Sequence, residues 1–168
     1  SADKVENIKT AFSYIYNMLE EHYVDEQVKG VRYSTFSDCI VFSFPTRQND
    51  SLFFSLLPLV WLQAELIWKH NILLRGAMTV GDIYHDDKMV FGPAMVEAYE
   101  LESKKATYPR IILDNKIEED YSQWFDELLI EGNPDKLYNF TNEVDYTFQR
   151  KSGLLAEDED GCYYVNYL

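Results

Sequence analysis

The spacing of apolar residues changes several times along the chain, and each change predicts a different element. In residues 1–23, apolar residues recur every three or four positions between polar ones, the pattern of an amphipathic helix. They are Val5, Ile8, Ala11, Phe12, Ile15, Met18 and Leu19. Residues 31–44 are instead rich in β-branched and aromatic residues on both sides of Ser37 and Asp38. This predicts two short strands joined by a tight turn, a buried hairpin with Asp38 at its tip.

Helical spacing returns between Ser51 and His70, where a broad apolar face runs along a second predicted helix. We expect this face in the core, and its residues are Phe53, Leu56, Leu57, Val60, Ala64, Ile67 and Trp68. Pro58 predicts either a kink or the true first turn of this helix.

The second half of the chain alternates short strand patterns with helical ones. The predicted elements are strands at 72–80, 89–91 and 110–113, helices after Gly92-Pro93 and at 118–130, and two strand-like pieces at 154–155 and 162–167. An acidic turn joins the strand-like pieces at 154–155 and 162–167, and Gly132 ends the predicted helix at 118–130. No internal repeat or linker is visible. We therefore predict one α+β domain over residues 1–168, with helices packed on a mainly antiparallel sheet.

Composition and charge narrow the function. Hydrophobic residues make up 46% of the chain, enough for a folded core, and the net charge of −14 argues against binding a nucleic-acid polymer. Cys39 and Cys162 lie in apolar segments, so we expect buried free thiols and a cytoplasmic protein. The most apolar run, residues 52–62, is shorter than the ~20 residues of a membrane helix, so no membrane partner is expected.

Two charged residues stand in apolar surroundings and are candidates for chemistry. Asp38 either bonds its own backbone in the turn or provides a ligand for a hard divalent cation. Arg75 is the one charge in its predicted strand, and it either pairs with an acid or faces a phosphate. The residues alone leave both alternatives open.

Two further segments carry polar groups with more than one interpretation. His85, Asp86 and Asp87 form either a metal cluster or a solvated turn. Gly92 precedes a predicted helix. Its start is either a site where backbone N–H groups bind phosphate oxygens or a plain strand-to-helix turn.

The order of these motifs resembles the catalytic domain of class III nucleotide cyclases. That family has Gly-Asp on a hairpin, then Arg-x-Gly-x-x-x-Gly on a strand, then a glycine that opens a helix. Here Asp38 is followed by Arg75, by Gly76 one place earlier than the family's middle glycine, by Gly81 and by Gly92. The resemblance is stronger still to the small bacterial cyclases of the Pycsar antiphage system, which make cyclic pyrimidine mononucleotides. It is carried by the short motifs FSD, LLRG, GDIYHD, FGPA, EAYELE and YPRI.

This resemblance implies a ferredoxin-like core, a homodimer, and conversion of UTP or CTP to the 3′,5′-cyclic monophosphate and pyrophosphate. It implies that Asp38 is a catalytic ligand of Mn²⁺ or Mg²⁺ and that Arg75 is catalytic through the phosphates. Ser34 and Met89 align with the base-reading positions of purine cyclases, and the resemblance implies that they contact the pyrimidine together with Tyr33.

The chain also departs from the family pattern. The aspartate of the family's first strand has no counterpart, and we expect it upstream of residue 1. Val96 and Glu100 stand where many family members carry an asparagine and an arginine. These departures support an alternative, a catalytically inactive cyclase-like domain that binds a nucleotide or a partner.

Overall fold

The computed structural model describes residues 2–23, 30–47, 51–136 and 153–167. Helices and short strands alternate along the chain, which confirms the α+β class. In order, the elements are α1 (Ala2–Tyr23), β1 (Arg32–Phe36), β2 (Cys39–Ser43), α2 (Ser51–His70), β3 (Gly76–Met78), β4 (Tyr84–His85), β5 (Val90–Phe91), α3 (Pro93–Lys105), β6 (Ile111–Leu113), α4 (Lys116–Glu131), β7 (Leu155–Glu157) and β8 (Tyr163–Val165).

The largest sheet has four strands in the order β3-β6-β8-β7. β3 and β6 are parallel, with Ala77 opposite Ile112, and the other two pairs are antiparallel. Parallel neighbours need a crossover, and α3 supplies it, packing against both strands. The sheet is therefore mixed, with more antiparallel than parallel pairing.

The hairpin predicted around Asp38 is present but does not belong to this sheet. β1 and β2 form a two-stranded sheet of their own, with Phe36 opposite Cys39. β4 and β5 form a second separate hairpin. Only one face of the β1–β2 hairpin packs on helices, so its strands are half-buried or exposed, and the prediction of a buried hairpin was wrong.

Two hydrophobic clusters share α2. The larger lies among α2, α4 and the four-stranded sheet, and its buried residues are Leu52, Leu56, Ile111, Leu113, Ile117, Tyr121, Trp124, Leu128, Leu154, Leu155 and Val165. The smaller joins α1, α2 and the first hairpin through Ala11, Ile15, Leu62 and Leu66, with Tyr33, Ile40 and Phe42 packed against them. α2 therefore connects the first hairpin to the main sheet.

The side of α2 that faces the core differs from the prediction. Trp68 was expected in the core and is 86% exposed, whereas Ser55 and Gln63 are buried. Apolar residues occur all round this helix, so their periodicity did not determine which side is covered. The helix also continues through Pro58 without ending there.

Other boundaries follow the predictions more closely. α4 ends at Gly132, which adopts the left-handed conformation and donates its N–H to the carbonyl oxygen of Leu128. β7 and β8 flank the acidic turn as expected. Cys39 and Cys162 are both free, but Cys39 is exposed and Cys162 is half-buried, so the predicted burial was wrong for Cys39 and only partly right for Cys162. Within the described ranges no helix is long and apolar enough to cross a membrane.

Candidate functional site

Asp38 lies at the tip of the first hairpin, in a two-residue turn between Phe36 and Cys39. Ser37 has φ 54, the positive value that a tight hairpin turn requires at its first position. The Asp38 side chain is exposed, and its carboxylate accepts a weak hydrogen bond from the Cys39 thiol at 4.0 Å. Both interpretations of Asp38 placed it in this turn, and its carboxylate is accessible to a ligand.

Among the described residues, no three His, Cys, Asp or Glu side chains form a metal-holding group. Mg²⁺ commonly binds one or two carboxylates and takes its other oxygens from substrate phosphates and water. A site of that kind needs one or two protein carboxylates, and the exposed Asp38 side chain would offer one of them.

Arg75 directly precedes β3 and forms an ion pair with Glu102 of α3. The strand is shorter than predicted, so Arg75 lies in the connection from α2 and its side chain is 51% exposed. The Glu102 side chain is 22% exposed, and an ion pair with one half-exposed partner contributes about 1 kcal/mol. The pairing is the first of the two alternatives for Arg75.

The turn after β3 packs tightly against the beginning of α3. Gly92 has φ 145, and a Cβ there would lie 2.7 Å from the Asp82 carbonyl oxygen and 2.9 Å from the Ile83 Cα. That carbonyl also accepts the Ala94 N–H at 3.2 Å, and Pro93 has no N–H to offer. These contacts leave few free amides at this helix start, which favours the plain turn over a phosphate site.

Tyr33 and Ser34, which were both expected to contact the pyrimidine base, lie on opposite faces of β1. Tyr33 packs on the α1–α2 cluster, and its ring meets that of Tyr16 edge-on with centroids 5.2 Å apart. Side chains alternate across a strand, so Ser34 faces the other way, toward the β4–β5 hairpin. Met89 precedes β5 in that hairpin. The structure thus brings the elements of Ser34 and Met89 together and separates Tyr33 from them.

His85 joins the two hairpins. Its Nε2 is hydrogen-bonded to the Ser34 hydroxyl and its Nδ1 to the Ser43 hydroxyl, each at 2.8 Å. An ion pair between Arg32 and Asp87 at 3.3 Å links the same hairpins. Partial burial and then the nearby Arg32 charge lower the pKa of His85, so the ring is neutral near pH 7.

Of the two interpretations of His85, Asp86 and Asp87, the structure shows a turn: Asp86 and Asp87 lie between β4 and β5, and His85 belongs to β4. One carboxylate oxygen of Asp86 accepts the N–H groups of Lys88 and Met89 at 2.8 and 2.9 Å, and the other accepts the Tyr84 hydroxyl at 2.9 Å. The two backbone N–H groups, followed by the Tyr84 hydroxyl, lower the pKa of Asp86.

Among the described residues, the most buried charged side chain is that of Arg110, and sequence reasoning missed it. The Arg110 side chain is 2% exposed and donates to Asp158 at 2.8 Å, to both oxygens of Asp160, and to the Lys105 carbonyl at 3.1 Å. Its guanidinium also lies 4.4 Å from the ring centroid of Tyr108. The one available signal was a lone arginine directly before the apolar strand 111–113.

No protein-family model, no curated protein and no solved structure matches this chain. The family resemblance therefore rests on the motifs and their order alone.

Proposed function

We propose that the chain is a cytoplasmic, metal-dependent cyclase that converts UTP or CTP to the 3′,5′-cyclic monophosphate and pyrophosphate as an antiphage signal. The observation that carries the proposal is the exposed Asp38 carboxylate at a two-residue hairpin turn. It occupies the place in the motif order that the cyclase resemblance assigns to a metal ligand. A ferredoxin-like core and a homodimer that completes each site belong to the same proposal.

Each residue in the proposal has one task. Asp38 provides a carboxylate oxygen for Mn²⁺ or Mg²⁺, which when bound neutralises charge on the triphosphate. Arg75 leaves Glu102 and binds phosphate oxygens, because a guanidinium matches their geometry and charge. Ser34 and Met89 contact the base. Cyclisation depends chiefly on positioning and charge neutralisation, and these contacts serve those two purposes.

Tyr33 has a different role in this proposal from the base contact expected from the sequence. Its ring packs against α1 and α2, on the face of β1 opposite to Ser34. It therefore supports the base-contacting strand from behind, and a direct contact with the same base as Ser34 is not proposed.

A second candidate is a cyclase-like domain that binds a nucleotide or partner without turnover. Val96 and Glu100 favour it, because they stand where many family members carry an asparagine and an arginine. In this candidate a nucleotide or partner binds and no pyrophosphate is released.

The test is to incubate the full chain with each of the four nucleoside triphosphates and Mn²⁺, and to measure cyclic products and pyrophosphate by chromatography. We expect product from UTP or CTP, and a loss of at least about a hundredfold in Asp38→Ala, the scale for removing a group that stabilises charge in the transition state. Asp126→Ala is the matched control, because Asp126 is an exposed carboxylate on α4.

A third variant tests Arg75. Glu102→Gln frees the guanidinium from its ion pair, so the KM for the triphosphate should fall or stay constant if Arg75 binds phosphate. Triphosphate binding without any cyclic product would support the second candidate. Equal activity in Asp38→Ala and Asp126→Ala would contradict the cyclase proposal.

A further inference from the structure

The ring of His85 contacts both strands of the first hairpin. Both ring nitrogens are hydrogen-bonded to serine hydroxyls, Nε2 to Ser34 of β1 and Nδ1 to Ser43 of β2, each at 2.8 Å. The Ser34 and Ser43 side chains project from the same face of the hairpin, since Ser34 lies opposite Val41 and Ser43 lies two residues further along that strand. His85 is therefore fixed on the same face as Ser34.

A neutral imidazole holds these two serines in different ways. One ring nitrogen carries a hydrogen and donates it, and the other has only a lone pair and accepts. A serine hydroxyl has one hydrogen of its own. If Nε2 accepts from Ser34, that hydrogen is used and Ser34 offers only lone pairs elsewhere. If Nε2 donates to Ser34, the hydroxyl hydrogen is free to point at a ligand.

This difference matters for a pyrimidine base. Uracil presents a carbonyl oxygen at C4 and so needs a donor, whereas cytosine presents an amino group there and needs an acceptor. We propose that His85 is a positioning residue that sets the hydrogen-bonding polarity of Ser34, and thereby determines which of the two pyrimidine triphosphates is preferred. This inference rests on the proposed function, in which Ser34 contacts the base.

A purely structural role for His85 predicts different results. The ion pair between Arg32 and Asp87 also fastens the two hairpins, at 3.3 Å, without touching Ser34. If His85 only fastens the hairpins, removing it and removing the ion pair should have the same kind of effect. Both changes would then alter the activity on UTP and CTP by equal factors.

The experiment compares kcat/KM for UTP and CTP with Mn²⁺ in the full chain and in five variants: His85→Ala, His85→Gln, Ser34→Ala, the double variant His85→Ala/Ser34→Ala and the control Asp87→Asn. We expect His85→Ala to change the UTP:CTP ratio by about tenfold, the value of one correctly polarised hydrogen bond. The double variant should add nothing to Ser34→Ala, because both changes remove the same interaction. Asp87→Asn should keep the wild-type ratio.

His85→Gln is included in case His85→Ala does not fold, because the glutamine amide keeps a polar side chain between the two hairpins. A changed ratio in this variant together with a wild-type unfolding midpoint supports the inference. An unchanged ratio in His85→Ala and His85→Gln overturns it and leaves the cyclase proposal standing. If the wild-type chain turns over neither triphosphate, the same ratio is taken from calorimetric affinities for UTP and CTP. Failure to bind either would overturn the proposed function and this inference together.

Discussion

Arg110 provides the sharpest test of how the domain is held together. Its guanidinium bonds Asp158, Asp160 and the Lys105 carbonyl oxygen, and so joins the end of α3 and the start of β6 to the turn between β7 and β8. Arg110→Met keeps most of the buried volume and removes the charge. The two aspartates then face each other without a cation, since both bond the same guanidinium nitrogen, at 2.8 and 3.1 Å.

The size of the effect follows from the burial of these groups. Removing one partner of a buried ion pair costs about 3–5 kcal/mol. Here the Asp158 and Asp160 side chains are 25% and 47% exposed, so water recovers part of the loss. We therefore expect Arg110→Met to lower the free energy of unfolding by about 3 kcal/mol, which corresponds to a fall in Tm of about 6–12 °C.

The assay is urea and thermal unfolding of the full chain at pH 7. Arg32→Met is the matched control, because Arg32 also pairs with an aspartate but both side chains are exposed, so its change should stay within about 0.5 kcal/mol. Replacing Asp158 and Asp160 by asparagine in the Arg110→Met background should restore part of the stability. If Arg110→Met and Arg32→Met shift the midpoint equally, the reasoning is refuted.

Three further predictions concern pH and backbone strain. Arg110 holds the pKa of Asp160 well below its usual range, so the contribution of this carboxylate to stability is full above the unfolded carboxyl pKa of about 3.9 and is lost as pH falls below it. Asp160→Asn should flatten the acid limb of a plot of unfolding midpoint against pH. Burial lowers the pKa of His85, so stability should fall as pH drops below about 6.5, and His85→Gln should reduce that slope. Gly92→Ala should cost roughly 3 kcal/mol in urea unfolding, because it combines φ 145 with a collision at 2.7 Å, whereas Gly132→Ala, with φ 69 and open space, should cost about 1 kcal/mol.

For each of these three predictions, one result would contradict the stated physical cause. An acid limb in Asp160→Asn as steep as in the wild-type chain would contradict the assigned pairing. An unchanged slope between pH 5 and 7 in His85→Gln would place the titration on other groups. Equal costs for the two glycine variants would show that the close approach at Gly92 relaxes.

Local chemistry in the sequence was enough to predict several elements. Two residues between β-rich runs predicted the turn of the first hairpin, and Gly132 predicted the end of α4. Such features depend on neighbours within a few residues, so they can be predicted from the residue types and their spacing. Asp38 was placed at its turn for the same reason.

Features that depend on distant partners were not predictable in this way. The acidic partners of Arg110 lie 48 and 50 residues further along the chain, and the serine partners of His85 lie 51 and 42 residues before it. Trp68 was assigned to the core because α2 is apolar on most sides. Which side is covered depends on how the sheet and α1 pack, and a single helix's periodicity does not specify that.

The central claim is that the Asp38 carboxylate is a metal ligand beside a bound triphosphate. Paramagnetic broadening of backbone amide NMR signals by substoichiometric Mn²⁺, in the presence of UTP or CTP, tests it most directly. We expect broadening centred on residues 36–39 in the wild-type chain and its disappearance in Asp38→Ala. Broadening that persists in Asp38→Ala, or that is confined to the acidic turn at 157–161, would contradict the claim.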